Sequence, residues 1–282
     1  MVRIRIISIL LIATTLYLQV DLQADAQTPS IQQFFQALVR TSPSALPKYE
    51  NVLKVVDQIP GTTPREISNA MPDILAALAH QDDNVKSDAL LALFAVAQRA
   101  DSAALVRSHV DVIGHDLLTG TTTKPETRAG EIVILGMLKP YPPPEVVPIF
   151  LTFLKRTDPD AQAQGSGVIF ELIRIAPENP EVIAAVRDFL SRPLDSKSKR
   201  ETFVAVGNSR MKDGQIIAMM IAAMDDPDEG VRITAIQVLP GIGQQALQQA
   251  EPALQRLAND TNQPADVRAA AKDALQRLHP NK

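Results

Sequence analysis

Few residues in this sequence could do chemistry, and their spacing argues against it. The four histidines are His80, His109, His115 and His279; none is followed by Glu. No His-x-x-x-His or His-Glu-x-x-His spacing is present to hold a metal from one helix face. Cysteine is absent, which excludes disulfides, thiolate metal sites and a cysteine nucleophile. Gly165-Ser166-Gly167 lacks the Gly-x-Ser-x-Gly elbow that exposes a catalytic serine, and is expected inside a helix where glycine permits close packing. Glycine patterns that cradle phosphates or dinucleotides are missing. Asp225, Asp226, Asp228 and Glu229 crowd one turn but do not form a calcium loop; Asp at a helix start instead accepts hydrogen bonds from orphan backbone N–H groups. His109 shares a face with Val106, Val110 and Ile113, as a partly buried packing histidine would. The expectation is a protein without catalytic, cofactor or metal residues.

Composition agrees with a binding role. The 282 residues carry a net charge of −4, without the basic footprint of a nucleic-acid binder. Aromatic residues are 4% and tryptophan is absent, which leaves little for stacking platforms or a β-sandwich core. Ala, Leu, Ile, Val and Gln dominate, and they favour helices.

The first segment has the layout of a secretory signal. Arg3 and Arg5 precede an apolar stretch from Ile6 to Leu18, polar residues follow, and Ala24-Asp25-Ala26 offers a small-x-small cleavage site. Cleavage is expected between Ala26 and Gln27, with a periplasmic or secreted mature chain. The competing reading is an uncleaved anchor, but the apolar run falls short of the ~20 residues that span a bilayer. No later stretch is long and apolar enough to do so.

The elements behind this pattern are set by a repeat. A turn rich in Asp, Asn and Pro is followed by Val-Arg or a near equivalent, most clearly before Val231-Arg232 and Val267-Arg268. Six copies start at residues 85, 127, 161, 198, 231 and 267, a spacing of 33 to 42 residues that fits a two-helix unit. Eight residues beyond each start stand Leu93, Leu135, Ile169, Val206, Leu239 and Leu275; one position earlier stand Ala92, Ile134, Val168, Ala205, Val238 and Ala274. These columns predict a shared core. Before each copy, stripes such as Val182, Ala185, Val186, Phe189 and Leu190 predict the partner helix. Ile31 to Arg40 and Lys48 to Gln58 predict an amino-terminal helical cap, since end repeats lack a covering neighbour. The organisation is therefore residues 1–26 signal, 27–66 cap and 67–279 repeat array.

The pattern Asp-Pro-x-x-x-Val-Arg-x-x-Ala-x-x-x-Leu resembles HEAT repeats, in particular the short HEAT-like type of the phycobilisome lyases, over roughly Ile67 to Leu278. The resemblance implies an all-α, α-α superhelix: an armadillo-like solenoid of about six helix pairs with the cap in front. Members are mostly scaffolds, adaptors or inhibitors. The deoxyhypusine hydroxylases among them hold two irons through His-Glu pairs that this chain lacks. By the same resemblance, the residue after each start, Lys86, Arg128, Lys199, Arg232 or Arg268, bonds the turn Asp of an adjacent repeat, and Gln162 departs from the pattern.

In such arrays the second helices line the concave side. The sixth residue beyond each start then faces outward: Leu91, Val133, Gly167, Val204, Gln237 and Asp273. An apolar row of this kind marks a partner-binding surface, unless curvature or the cap buries it. Glu131 stands in a column otherwise small, as a snorkelling surface residue or a polar group facing a partner. The candidate partner-binding residues are Leu91, Val133, Val204 and Glu131. The function expected is an exported scaffold that binds a protein partner, with no nucleic acid and no cofactor. The alternatives are a structural accessory subunit of an envelope assembly and a metal-dependent enzyme.

Overall fold

The computed structural model describes residues 29–40, 54–120, 124–209 and 211–279; the expected signal segment and most of Lys48–Gln58 lie outside them. The described residues are helical and contain no strand. The expected cap helix is α1 (Ile31–Arg40), which buries Ile31, Phe34, Phe35 and Leu38. Six helix pairs follow. The first helices are α2 (Pro64–Leu78), α5 (Val110–Thr119), α7 (Val146–Leu154), α9 (Pro180–Ser191), α11 (Gly214–Ala222) and α13 (Gln244–Asn259). Their partners are α3 (Asp83–Gln98), α6 (Pro125–Gly136), α8 (Pro159–Ile175), α10 (Ser196–Gly207), α12 (Glu229–Ile242) and α14 (Ala265–Leu278). A short helix, α4 (Ala103–Arg107), precedes α5 and accounts for the longest interval, the 42 residues between the starts at Val85 and Thr127.

Each of the six repeat starts is the third residue of its second helix, so the sequence frame and the helix boundaries coincide in every copy. The reason is local. Asp82, Asp158, Asp195 and Asp228 cap α3, α8, α10 and α12, each accepting from a backbone N–H of the first turn. These bonds, with the Arg156 guanidinium at Asp158, hold the Asp158, Asp195 and Asp228 carboxyls below the usual range. Proline opens α2, α6, α8 and α9, where its missing N–H costs nothing.

The core runs along the array between the two helix layers. Residues at the start and at four beyond it are buried in all six copies. The column at eight beyond is buried from Leu93 to Leu239; Leu275, on the last helix, is half-buried because no further repeat covers it. Successive second helices lie in close contact, whereas successive first helices touch far less. A double layer packed tighter on one side curves toward that side, so the second helices line the concave face.

Glycine permits the closest approaches in the array. A Cβ at Gly165 would run into the Phe189 ring of α9, and one at Gly207 into Val238 of α12. Gly167, two residues from Gly165, differs: nothing lies within 4 Å of a Cβ built there. Close packing therefore explains Gly165 and not Gly167.

Candidate functional site

The concave surface is built from the outward faces of the second helices. Leu91 on α3, Val133 on α6, Gly167 on α8 and Val204 on α10 are half-buried, while Gln237 on α12 and Asp273 on α14 are exposed. Phe94 and Phe170, one turn further along α3 and α8, are also half-buried and rest against the core. The outward row is thus apolar over the first four pairs and polar over the last two.

Glu131 is not on this surface. Its side chain is fully buried, and Oε2 accepts from Arg128 Nη1 at 2.9 Å. It faces the core because its column, four residues past the start, is the one that packs between helices. Arg128 is equally buried and donates to the carbonyls of Asp116, Leu117 and Gly120 at the end of α5. Asp116 is bound through both oxygens by Lys86 Nζ at 2.8 Å and lies within hydrogen-bonding reach of Glu131. Burial, and then the neighbouring Asp116, push the Glu131 carboxyl up to about 9. Glu131 Oε1 is sealed from solvent with no donor facing it, so a proton on Glu131 shared with Asp116 satisfies both groups. The first inter-repeat joint therefore holds a polar core where the other copies have Ala, Gly or Thr.

The basic residues after each start divide by type. Lys199 reaches forward to the turn Asp226 of the next repeat at 2.6 Å, as the resemblance implies; Lys86 also reaches forward, but to Asp116 within α5 rather than to a turn Asp. Arg232 and Arg268 instead turn back, as Arg128 does, and donate to carbonyls at the turn before their own helix. An ammonium needs a single point acceptor, whereas the guanidinium fork fits two carbonyls at once. Gln162 donates to Thr157 O. The three aspartates of the turn are all used: Asp225 binds Arg256, Asp226 binds Lys199, and Asp228 caps α12 and binds Arg200.

A second set of clips was not anticipated. Arg156 stacks 5.1 Å from the Phe153 ring and donates to Leu117 O and Leu118 O; Arg192 stacks 5.6 Å from the Phe189 ring and donates to Leu154 O. Each arginine follows a first helix and reaches back one repeat to the carbonyl end of the preceding first helix. The shared string Phe-Leu-x-Arg, at Phe153 and Phe189, is the signal that reveals them.

Several of the residues whose types could do chemistry have structural partners. The buried Ser166 hydroxyl meets Glu201 at 2.8 Å, His109 Nδ1 lies 2.8 Å from Leu105 O, and His279 Nε2 lies 2.8 Å from Glu251. Among the described residues, no three His, Asp or Glu side chains gather as a metal would require, and no helix is long and apolar enough to cross a membrane.

The HEAT-repeat family pattern matches residues 217–281. The chain is similar to the crystal structure of an archaeal HEAT-like repeats protein from Thermococcus onnurineus NA1, at 15% identity and a TM-score of 0.55, over 89% of this chain and 97% of that one. It is also similar to an engineered protein, at 18% identity and a TM-score of 0.47 over 88% and 68% of the two chains. No curated protein matches its sequence. With the six-copy frame and the two-layer curvature, the family match over the last repeats and the archaeal structure show an all-α, HEAT-like solenoid fold. At this identity the likeness speaks for the fold alone.

Proposed function

We propose that this protein is an exported scaffold that binds a protein partner along its concave face. The carrying observation is the row Leu91, Val133 and Val204, apolar side chains left half-buried on the first, second and fourth second helices of a tightly packed inner layer, with Gly167 between the last two. A repeat solenoid has no single pocket, and it offers recognition through an extended surface. Apolar side chains aligned on that surface favour a partner segment that covers them. The signal-like layout of residues 1–26 supports export to the periplasm or the medium.

The test is a triple substitution of Leu91, Val133 and Val204 by Ser, read on partner recovery from an envelope extract and on helical circular dichroism together. Recovery of the specific partner should fall while helicity stays, because half-exposed positions contribute little to the core. Equal recovery by the wild type and the variant would move binding off this face. Lost helicity would assign the three side chains to the core instead.

A further inference from the structure

The concave row lacks a side chain at one place and has a buried carboxylate beside it at another, and these two features fit one kind of ligand. At Gly167 the row lacks a side chain between Val133 on α6 and Val204 on α10, and the space a Cβ would take is open. That vacancy is a notch with Phe170 one turn away on the same helix. Beside the row, on α3, Asp88 stands three residues before Leu91. Asp88 is buried to 7% exposure and takes part in no hydrogen bond or ion pair among the described residues. The charged groups facing it are Asp82, at the start of its own helix, and Lys124, in the approach to α6, whose Nζ donates to Asn84 Oδ1 at 2.6 Å. A carboxylate buried beside an apolar row and lacking a donor is completed by an incoming cation.

Resting on the concave-face reading above, we infer that the face grips an extended partner segment at two points. A Lys or Arg of the segment meets Asp88, and a bulky apolar side chain fills the notch at Gly167. The spacing follows from the fold. Two helix-to-helix steps separate α3 from α8, about 16–20 Å at usual packing distances. An extended chain covers that in about five or six residues. Other charges close to this stretch have partners within the chain: Arg200 pairs with Asp228, Glu171 with Arg174, and Glu201 accepts from Ser166. The complement of the grip is therefore one positive residue rather than a basic run.

Burial, with Asp82 nearby, pushes the Asp88 carboxyl up to about 7. A cation selects the ionised form, so binding releases a proton wherever Asp88 is protonated in the free protein. Affinity then rises by about tenfold from pH 6 to pH 8, the factor set by one group titrating at pH 7.

The test selects peptides from a phage-displayed random library on the full chain, then measures the selected peptides on variants by titration. Enrichment of a basic residue spaced five or six positions from a large apolar one is the expected result. Asp88→Asn should weaken those peptides about tenfold and flatten their pH dependence. Gly167→Leu should weaken them at least as much while leaving the fold intact, because nothing stands where the new side chain goes and leucine favours the helix. Peptides enriched without a basic residue, or bound equally by Asp88→Asn, overturn the acidic anchor. Equal binding by Gly167→Leu overturns the notch. Failure to enrich any peptide overturns the concave-face reading itself, and this inference with it.

Discussion

Replacing Glu131 by Gln tests whether the first joint of the array carries a proton. Glu131 is fully buried, with Arg128 on Oε2 and the Asp116 carboxylate within hydrogen-bonding reach. Its carboxyl rises from 4.5 to about 9 in the folded chain. The folded state therefore keeps a proton that the unfolded chain releases, and stability falls as pH rises between those two values. One whole proton of difference corresponds to about 1.4 kcal/mol per pH unit, the ceiling for this group. Lys86 and Arg128 share the joint, and their relaxation would bring the slope below that ceiling. Glutamine keeps the shape and the donor but cannot ionise. Urea unfolding of both proteins at intervals from pH 5 to pH 9 should show a steeper decline for the wild type, with the curves converging toward pH 5. Parallel curves would refute the protonated reading and leave Glu131 as an ordinary ionised partner of Arg128.

The remaining predictions are simpler. Leu239→Ala, in the fully buried column, should cost about 2–5 kcal/mol of unfolding free energy, and Leu275→Ala, half-buried in the same column at the array end, clearly less. Denaturant titration of the pair checks the frame, and a loss at Leu239 below about half a kcal/mol would contradict it. Amino-terminal sequencing of the exported product should read from Gln27; a start at Met1 would defeat the cleavage expectation.

The fold was legible because its period is written in side-chain size. Val231 and Ala235 repeat their buried environment in every copy and Leu239 in all but the last, so six weak signals reinforce one another. The helix starts were legible for a chemical reason: Asp195 and Asp228 cap in the same place relative to Ser198 and Val231. Glu131 was misplaced because a charge suggests the surface, and only the fold brings Arg128, Asp116 and Lys86 around it from three helices. Gly165 and Gly167 look alike in sequence, yet Phe189 fills the space beside the first and nothing fills it beside the second. Which glycine packs is decided by a helix some twenty residues away, beyond the reach of local pattern.

The back-reaching arginines have a mechanical consequence. Along the outer layer, where first helices scarcely touch, Arg156 and Arg192 tie one unit to the one before it by polar bonds at the helix ends. Pulling the two ends of the array apart would load these ties last, since bending it straight compresses the outer layer and strains the inner one. Squeezing the array tighter around a segment would load them first. The molecule should therefore resist over-curling more stiffly than uncoiling, as a watch spring with stops on its outer edge would. Distance distributions between spin labels at the two ends of the array would read that asymmetry: a chain with Arg156 and Arg192 changed to Gln should gain shorter end-to-end separations while the longer ones stay as in the wild type.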